Sequence, residues 1–263
     1  MFLIRFLLLV ILFSALSLLI EDSLSAQVLG SQEHGNHGMG LTLGHSSKGA
    51  FSELDFRYKS HDLLNYNQGY QNFSERSVLK GKVRYYSEEG KWELFKLDFY
   101  QFLSLNQTNS FFTPNSVGFK FGFESVTIQE RTRILNLNGN DEKRITALNI
   151  DWKQGYSLLG SQAKEGERYS VSFLGGIKAQ YHPSFKQNVR MGPQLSLLYT
   201  HEFGRYKLIL ESTYFYFRAL GERNDFQNSL MIRYSLDVNQ ELRLGISQSQ
   251  FMNDLTLQYL YLF

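Results

Sequence analysis

Cysteine is absent from all 263 residues. That excludes a disulfide framework, a thiolate nucleophile and any cysteine-ligated zinc site. No long apolar run occurs beyond residue 20, and no basic tract occurs anywhere. The charge pattern therefore gives no ground for a nucleic-acid partner. Proline is also scarce, with three in the whole chain.

Aromatic residues are abundant by contrast, with 22 phenylalanines and 16 tyrosines, although the mean hydropathy is negative. Many rings without long apolar runs suit a transmembrane β-barrel. Its lipid face is apolar and ringed by aromatics, its lumen is polar, and averaging the two hides both.

Residues 1–26 read as a secretory signal: Arg5 is followed by an apolar run from Phe6 to Ile20 and a polar, small-residue exit ending at Ala26. The run is short for a membrane-spanning helix of about 20 residues, and no basic stop-transfer cluster follows it. With no cysteine near the exit, it is not a lipoprotein signal. Cleavage after Ala26 leaves about 237 residues with 26 basic and 23 acidic side chains. Residues 27–38 are then expected to form a periplasmic N-terminal segment, and 39–263 the barrel.

The final ten residues carry the clearest signal. Leu255, Leu257, Tyr259, Tyr261 and Phe263 share one strand face, while Asp254, Thr256 and Gln258 begin the other. A last strand ending on a free aromatic carboxy-terminus looks like the assembly signal of bacterial outer-membrane barrels, here Tyr259, Tyr261 and Phe263. The same period-two pattern recurs in about twelve segments, clearest at 77–86, 117–124, 168–180 and 226–236. The expectation is an all-β, antiparallel transmembrane barrel of about twelve strands, with ten or fourteen as alternatives. Tight turns are expected at 87–90, 201–204 and 237–240, and longer connections at 59–76, 105–115, 127–144 and 156–167. Pro193 falls inside one expected strand, where it predicts a bulge or a strand end.

The wording of residues 33–119 is more specific: Glu33-His-Gly-Asn-His-Gly38, Phe51-Ser-Glu-Leu-Asp-Phe-Arg-Tyr58, His61-Asp-Leu-Leu64, Gly69-Tyr70, Val83-Arg-Tyr-Tyr86 and Leu97-Asp-Phe-Tyr100. This resembles the barrel module at the C-terminal end of Lnb-type proteins, the lipoprotein N-acyltransferase-like family of Gram-negative bacteria. In those relatives a cysteine-dependent periplasmic domain precedes the barrel. This chain has no cysteine to serve as that nucleophile, so the resemblance implies the membrane-embedded part alone, as a partner for a separate periplasmic protein.

Alternation assigns twelve basic residues to the lumen: Arg57, Lys80, Lys82, Arg84, Lys96, Lys120, Lys153, Lys178, Arg190, Lys207, Arg233 and Arg243. Six acids share that face: Glu53, Asp55, Asp98, Glu124, Asp151 and Glu211. Either these charges pair and fill the barrel, or they line a narrow anion-preferring pore. Trp92, Tyr85, Tyr86, Phe99, Tyr100, Tyr214, Tyr216, Tyr259 and Tyr261 are expected at the headgroup girdles.

His61 and Asp62, with Tyr70, form a candidate docking loop for a partner, since adjacent His and Asp in a turn more often satisfy backbone groups than perform acid–base chemistry. His45-Ser-Ser47 contains the His-x-Ser spacing of some outer-membrane lipid hydrolases, but without a positioned carboxylate. His34, His37 and His45 lack conventional zinc spacing. No catalytic residue, metal site or cofactor is assigned. The leading expectation is a non-enzymatic barrel in the outer membrane of a Gram-negative bacterium, acting as anchor or scaffold. A narrow anion channel and a lipid-modifying hydrolase are the alternatives. Its partners are expected to be outer-membrane lipids and lipopolysaccharide, the barrel assembly machinery and a periplasmic protein.

Overall fold

The computed structural model describes residues 36–65, 73–106, 115–130, 141–161, 167–217, 224–250 and 252–263. The signal reading of residues 1–26 and Tyr70 lie outside them. Twelve strands follow in chain order: β1 (Gly38–Ser46), β2 (Gly49–His61), β3 (Ser74–Tyr86), β4 (Lys91–Ser104), β5 (Ser116–Glu130), β6 (Asp141–Ser161), β7 (Arg168–Tyr181), β8 (Val189–Phe203), β9 (Tyr206–Phe215), β10 (Asp225–Asp237), β11 (Gln240–Ser249) and β12 (Asn253–Leu262).

Each strand pairs antiparallel with the next, and β1 also pairs with β12, from Gly38 opposite Leu262 to Ser46 opposite Asp254. The ring therefore has no free edge. Closure extends to the ends of the ladder, because the His37 and Phe263 backbones exchange both hydrogen bonds, at 3.1 and 2.8 Å. Within hydrocarbon such closure is obligatory, as no water is available to satisfy an open sheet.

Polarity is inverted relative to a water-soluble barrel. Leu41, Leu43, Leu195, Leu244, Leu257 and Phe173 are exposed on the outside, whereas Arg233, Lys207, Glu53 and Glu241 are fully buried within. Outward rings gather at the two ends of this belt. Tyr58, Tyr206, Tyr259, Tyr261 and Phe263 lie at the end holding the last strand's terminus, here the terminal end. Trp92, Tyr181 and Tyr214 lie at the distal end. An apolar belt flanked by aromatics is the exterior that a bilayer requires.

Four local expectations need correction. Tyr86 belongs to no girdle: it is fully buried inside, because it shares the parity of Lys82 and Arg84 to the last residue of β3. Residues 156–161 continue β6 instead of forming a connection. There Ser157 and Leu159 face inward while Leu158 is exposed, so leucine on both faces conceals the alternation. The expected 127–144 connection is likewise shortened by ladder pairing from Thr127–Arg144 to Glu130–Asp141. Pro193 produces no bulge. Its carbonyl accepts from Tyr216, just past the end of β9, so its missing N–H leaves the β8–β9 ladder intact.

Candidate functional site: the filled barrel interior

The interior is built from one face of every strand. All twelve basic residues named above place their charged groups within 4.0 Å of a carboxylate. Five further acids face the same interior: Glu75, Glu202, Glu241 and Asp254 on the strands, and Asp62 from the β2–β3 connection. Their contribution brings the charge close to balance. Glu202, Glu241 and Asp254 all sit on inward parity beside counted lysines and arginines, so alternation alone was sufficient to find them.

Asp62 lies at the centre of one network. Its carboxylate accepts from Arg243 at 2.8 and 3.1 Å and from the Arg57 guanidinium, and the Lys80 ammonium lies 3.7 Å away. Arg57 also bonds Asp55, and Arg243 also bonds Glu241. The chain reaches this position through a local irregularity. Lys59 has a φ of 44°, which breaks the alternation of β2, and all six residues from Ser60 to Asn65 are buried. Asp62 then organises its own turn, its Oδ1 accepting from the Leu64 and Asn65 amides at 3.0 Å each. Asn65 donates to Glu241, and its carbonyl accepts from Lys207.

This inward segment has a prepared seat. Leu63 and Leu64 pack with Phe73, Leu103, Leu105, Leu174, Leu198 and Ile209. The neighbouring wall of β5–β9 is lined by small side chains whose hydroxyls satisfy one another: Ser116–Ser157–Ser172, Ser170–Thr200 and Ser196–Thr213. Small residues on that side leave the volume that the leucines occupy. Arg57 of β2, Lys80 of β3, Lys207 of β9 and Arg243 and Glu241 of β11 hold the segment through their charged groups.

Towards the distal end Arg84 lies between the Phe51 and Phe95 rings, 3.8 and 3.6 Å from their centroids, and bonds both Glu53 and Asp254. A guanidinium between two rings gains cation–π attraction in addition to its ion pairs. The turn between β7 and β8 contributes Phe185, which packs on Val126, Ile145 and Ala147. A cavity of about 380 Å³ remains along the interior, reaching from Leu64 to Arg84 and Asp254.

Asp62 lies outside the strands, and its ionisation follows from these contacts. Burial alone raises a carboxyl pKa, but Arg243, Arg57 and Lys80 outweigh it and hold the group well below the usual carboxylate range. His61 is also buried, so neither residue of this pair presents itself at the rim. His45 lies on outward parity and is exposed, whereas Ser46 is buried and bonds the Gly49 carbonyl within the turn. The serine of the His-x-Ser spacing, Ser47, is exposed like His45 but lies in the β1–β2 turn, beyond the end of β1 at Ser46. His37 stacks on Tyr58 at 4.7 Å. Among the described residues no cluster of metal-ligating side chains forms.

A closed twelve-strand β-barrel with an apolar exterior and an ion-paired interior is a membrane-embedded barrel. The chain belongs to the DUF7840 family, described as a domain of unknown function, whose profile matches residues 31–261. None of the curated proteins matches it. Solved structures to which the chain is similar include the KdgM porin (11% identity, 86% of this chain and 99% of that chain, TM-score 0.43). They also include the NanC porin (10%, 86% and 100%, TM-score 0.43). A third is Omp33 of Acinetobacter baumannii (7%, 88% and 99%, TM-score 0.37). At these scores the likeness adds nothing to the barrel already described.

Proposed function

We propose that this chain is a closed, non-enzymatic anchor of the bacterial outer membrane that holds a periplasmic partner. The observation carrying this reading is the latched segment Asp62–Asn65, which occupies the interior through two guanidiniums, two ammoniums and an apolar seat. Pairing of every lumen base named from the sequence supports the same reading, since paired charges give weak ion selectivity and little free bore. The partner half rests on the resemblance of residues 33–119 to the barrel module of Lnb-type proteins. With both ends of the barrel chain periplasmic, as in single-chain bacterial barrels, the latch lies at the periplasmic mouth.

The test is electrical. Purified protein inserted into planar bilayers is expected to leave the membrane silent under applied voltage. Reproducible unitary conductance steps from the unmodified protein would replace the anchor with a pore. The partner is sought separately, by crosslinking from the periplasmic side in intact cells. Capture of a periplasmic acyltransferase-like protein is the expected result, and recovery of the barrel alone removes that half of the reading.

A further inference from the structure

The remaining interior cavity has two chemically different walls. On β3 to β6 stand Lys82, Lys96, Lys120 and Lys153, one from each successive strand. Their side chains are only 17–25% exposed, so their ammoniums border the cavity without reaching open solvent. Six strands round the ring, β10 to β12 present the neutral hydrogen-bonding groups Ser229, Ser247, Thr256 and Gln258, together with Arg243, held by Asp62 and Glu241, and Asp254, held by Arg84. Glu211, on β9, meets Lys153 at 3.3 Å.

We propose that this cavity binds a small organic acid that is a carboxylate at one end and hydroxylated along its length. Nine basic and six acidic residues line it. The further acids Asp55, Asp98, Glu124 and Glu241 pair with lining bases from behind that surface. The charged groups nearest an occupant are therefore mostly ammoniums and guanidiniums, although the interior as a whole is close to balance. Each ammonium carries three donors. Lys96 is bonded to Asp98 at 3.0 Å and Lys120 to Glu124 at 3.0 Å, which leaves donors for an incoming carboxylate. Lys82 and Lys96 are directly opposed in the ladder. Glu53 holds Lys82 at 2.7 Å and Asp98 holds Lys96 at 3.0 Å, and a carboxylate bridging the two ammoniums adds to these pairs. The hydroxyl and amide wall matches the ligand's alcohol groups. The volume, about 380 Å³, falls within the range of small-molecule sites, about 300–1,000 Å³.

The experiment is calorimetric titration of the folded, detergent-solubilised barrel with gluconate, using sorbitol as the neutral polyol of matching length. Gluconate is expected to bind saturably at one site per barrel, with sorbitol at least about tenfold weaker because it offers no charge to the ammoniums. Lys153→Gln and Lys96→Gln are each expected to weaken gluconate about tenfold. Ser247→Val, which leaves every charge in place, is expected to weaken it less. Lys186→Gln, in the β7–β8 turn away from the cavity, is expected to leave affinity unchanged. Heat-modified gel migration checks that each variant remains folded. Absence of saturation by roughly 10 mM, equal binding of sorbitol, or an affinity indifferent to both Ser247→Val and the lysine changes overturns the proposal. A conducting barrel can bind the same acid, so this titration and the bilayer recording fail independently.

Discussion

Asp62→Ala is expected to convert an electrically silent barrel into one that shows conductance steps, and to destabilise it by about 3 kcal/mol. Removing one member of a buried ion pair costs about 3–5 kcal/mol, because the partner charge is left uncompensated. The lower end applies here, since Arg57 retains Asp55 and Arg243 retains Glu241. The change also removes the acceptor for the Leu64 and Asn65 amides, so the turn loses its internal scaffold as well as its anchor. Asp62→Asn separates the two effects: it keeps a side-chain carbonyl for the turn and loses the charge. Its expected conductance is intermediate. Denaturant unfolding from vesicles measures the stability, and planar bilayers measure the opening. An Asp62→Ala barrel as silent and as stable as the parent would remove the latch from the account.

The sign of the pH dependence follows from the same contacts. The folded-state pKa of Asp62 is depressed, so its contribution is fully present above the unfolded-chain value of about 3.9. It is lost only as pH falls through the lower folded value. Bilayers held between about pH 5 and pH 8 therefore lie wholly on the stabilised side, and silence is expected throughout that window. Opening near neutral pH would point to a different titrating group.

Leu257→Arg is expected to destabilise the barrel by about 2–4 kcal/mol, the depth-dependent cost of arginine at the lipid-facing midplane. Leu257 is outward on β12 and 53% exposed, with Leu255 and Tyr259 flanking it on the same face. The same substitution at an exposed site of a water-soluble domain stays within about 0.5 kcal/mol. Asn253→Arg, at the distal end of the same strand, is expected to cost about 0–1 kcal/mol. Equilibrium unfolding in phospholipid vesicles compares the two. Equal, small effects at both positions would mean that no hydrocarbon meets this face.

Much of the barrel was legible because strand side chains alternate strictly and the two solvents differ so strongly. Val83 and Arg84, or Phe119 and Lys120, need no tertiary information to be assigned opposite faces. The reading weakens wherever one kind of residue occupies both faces. Leu158 and Leu159 conceal the last turn-ward stretch of β6, and Tyr86 looks like a girdle tyrosine until its parity with Arg84 is followed to the strand end. Glu202, Glu241 and Asp254 obey the same rule, and counting them from the sequence raises the interior acids from six to nine against twelve bases. Asp62 obeys no such rule. It lies in a connection, where periodicity carries no information, and its position depends on the Lys59 irregularity and on residues from strands at the far end of the chain.

By itself, then, the sequence determined the two-sidedness of the wall, the closing role of the last strand and the absence of cysteine chemistry. These are local properties, set by period-two alternation and composition. Only the tertiary structure decided what the lumen contains. Closing the ring brings Arg243 and Arg57 to the same carboxylate although 186 positions separate them in the chain, and it places small hydroxylated residues where Leu63 and Leu64 must fit. Packing and charge pairing across a cylinder depend on which strands become neighbours, and no local window of residues contains that information.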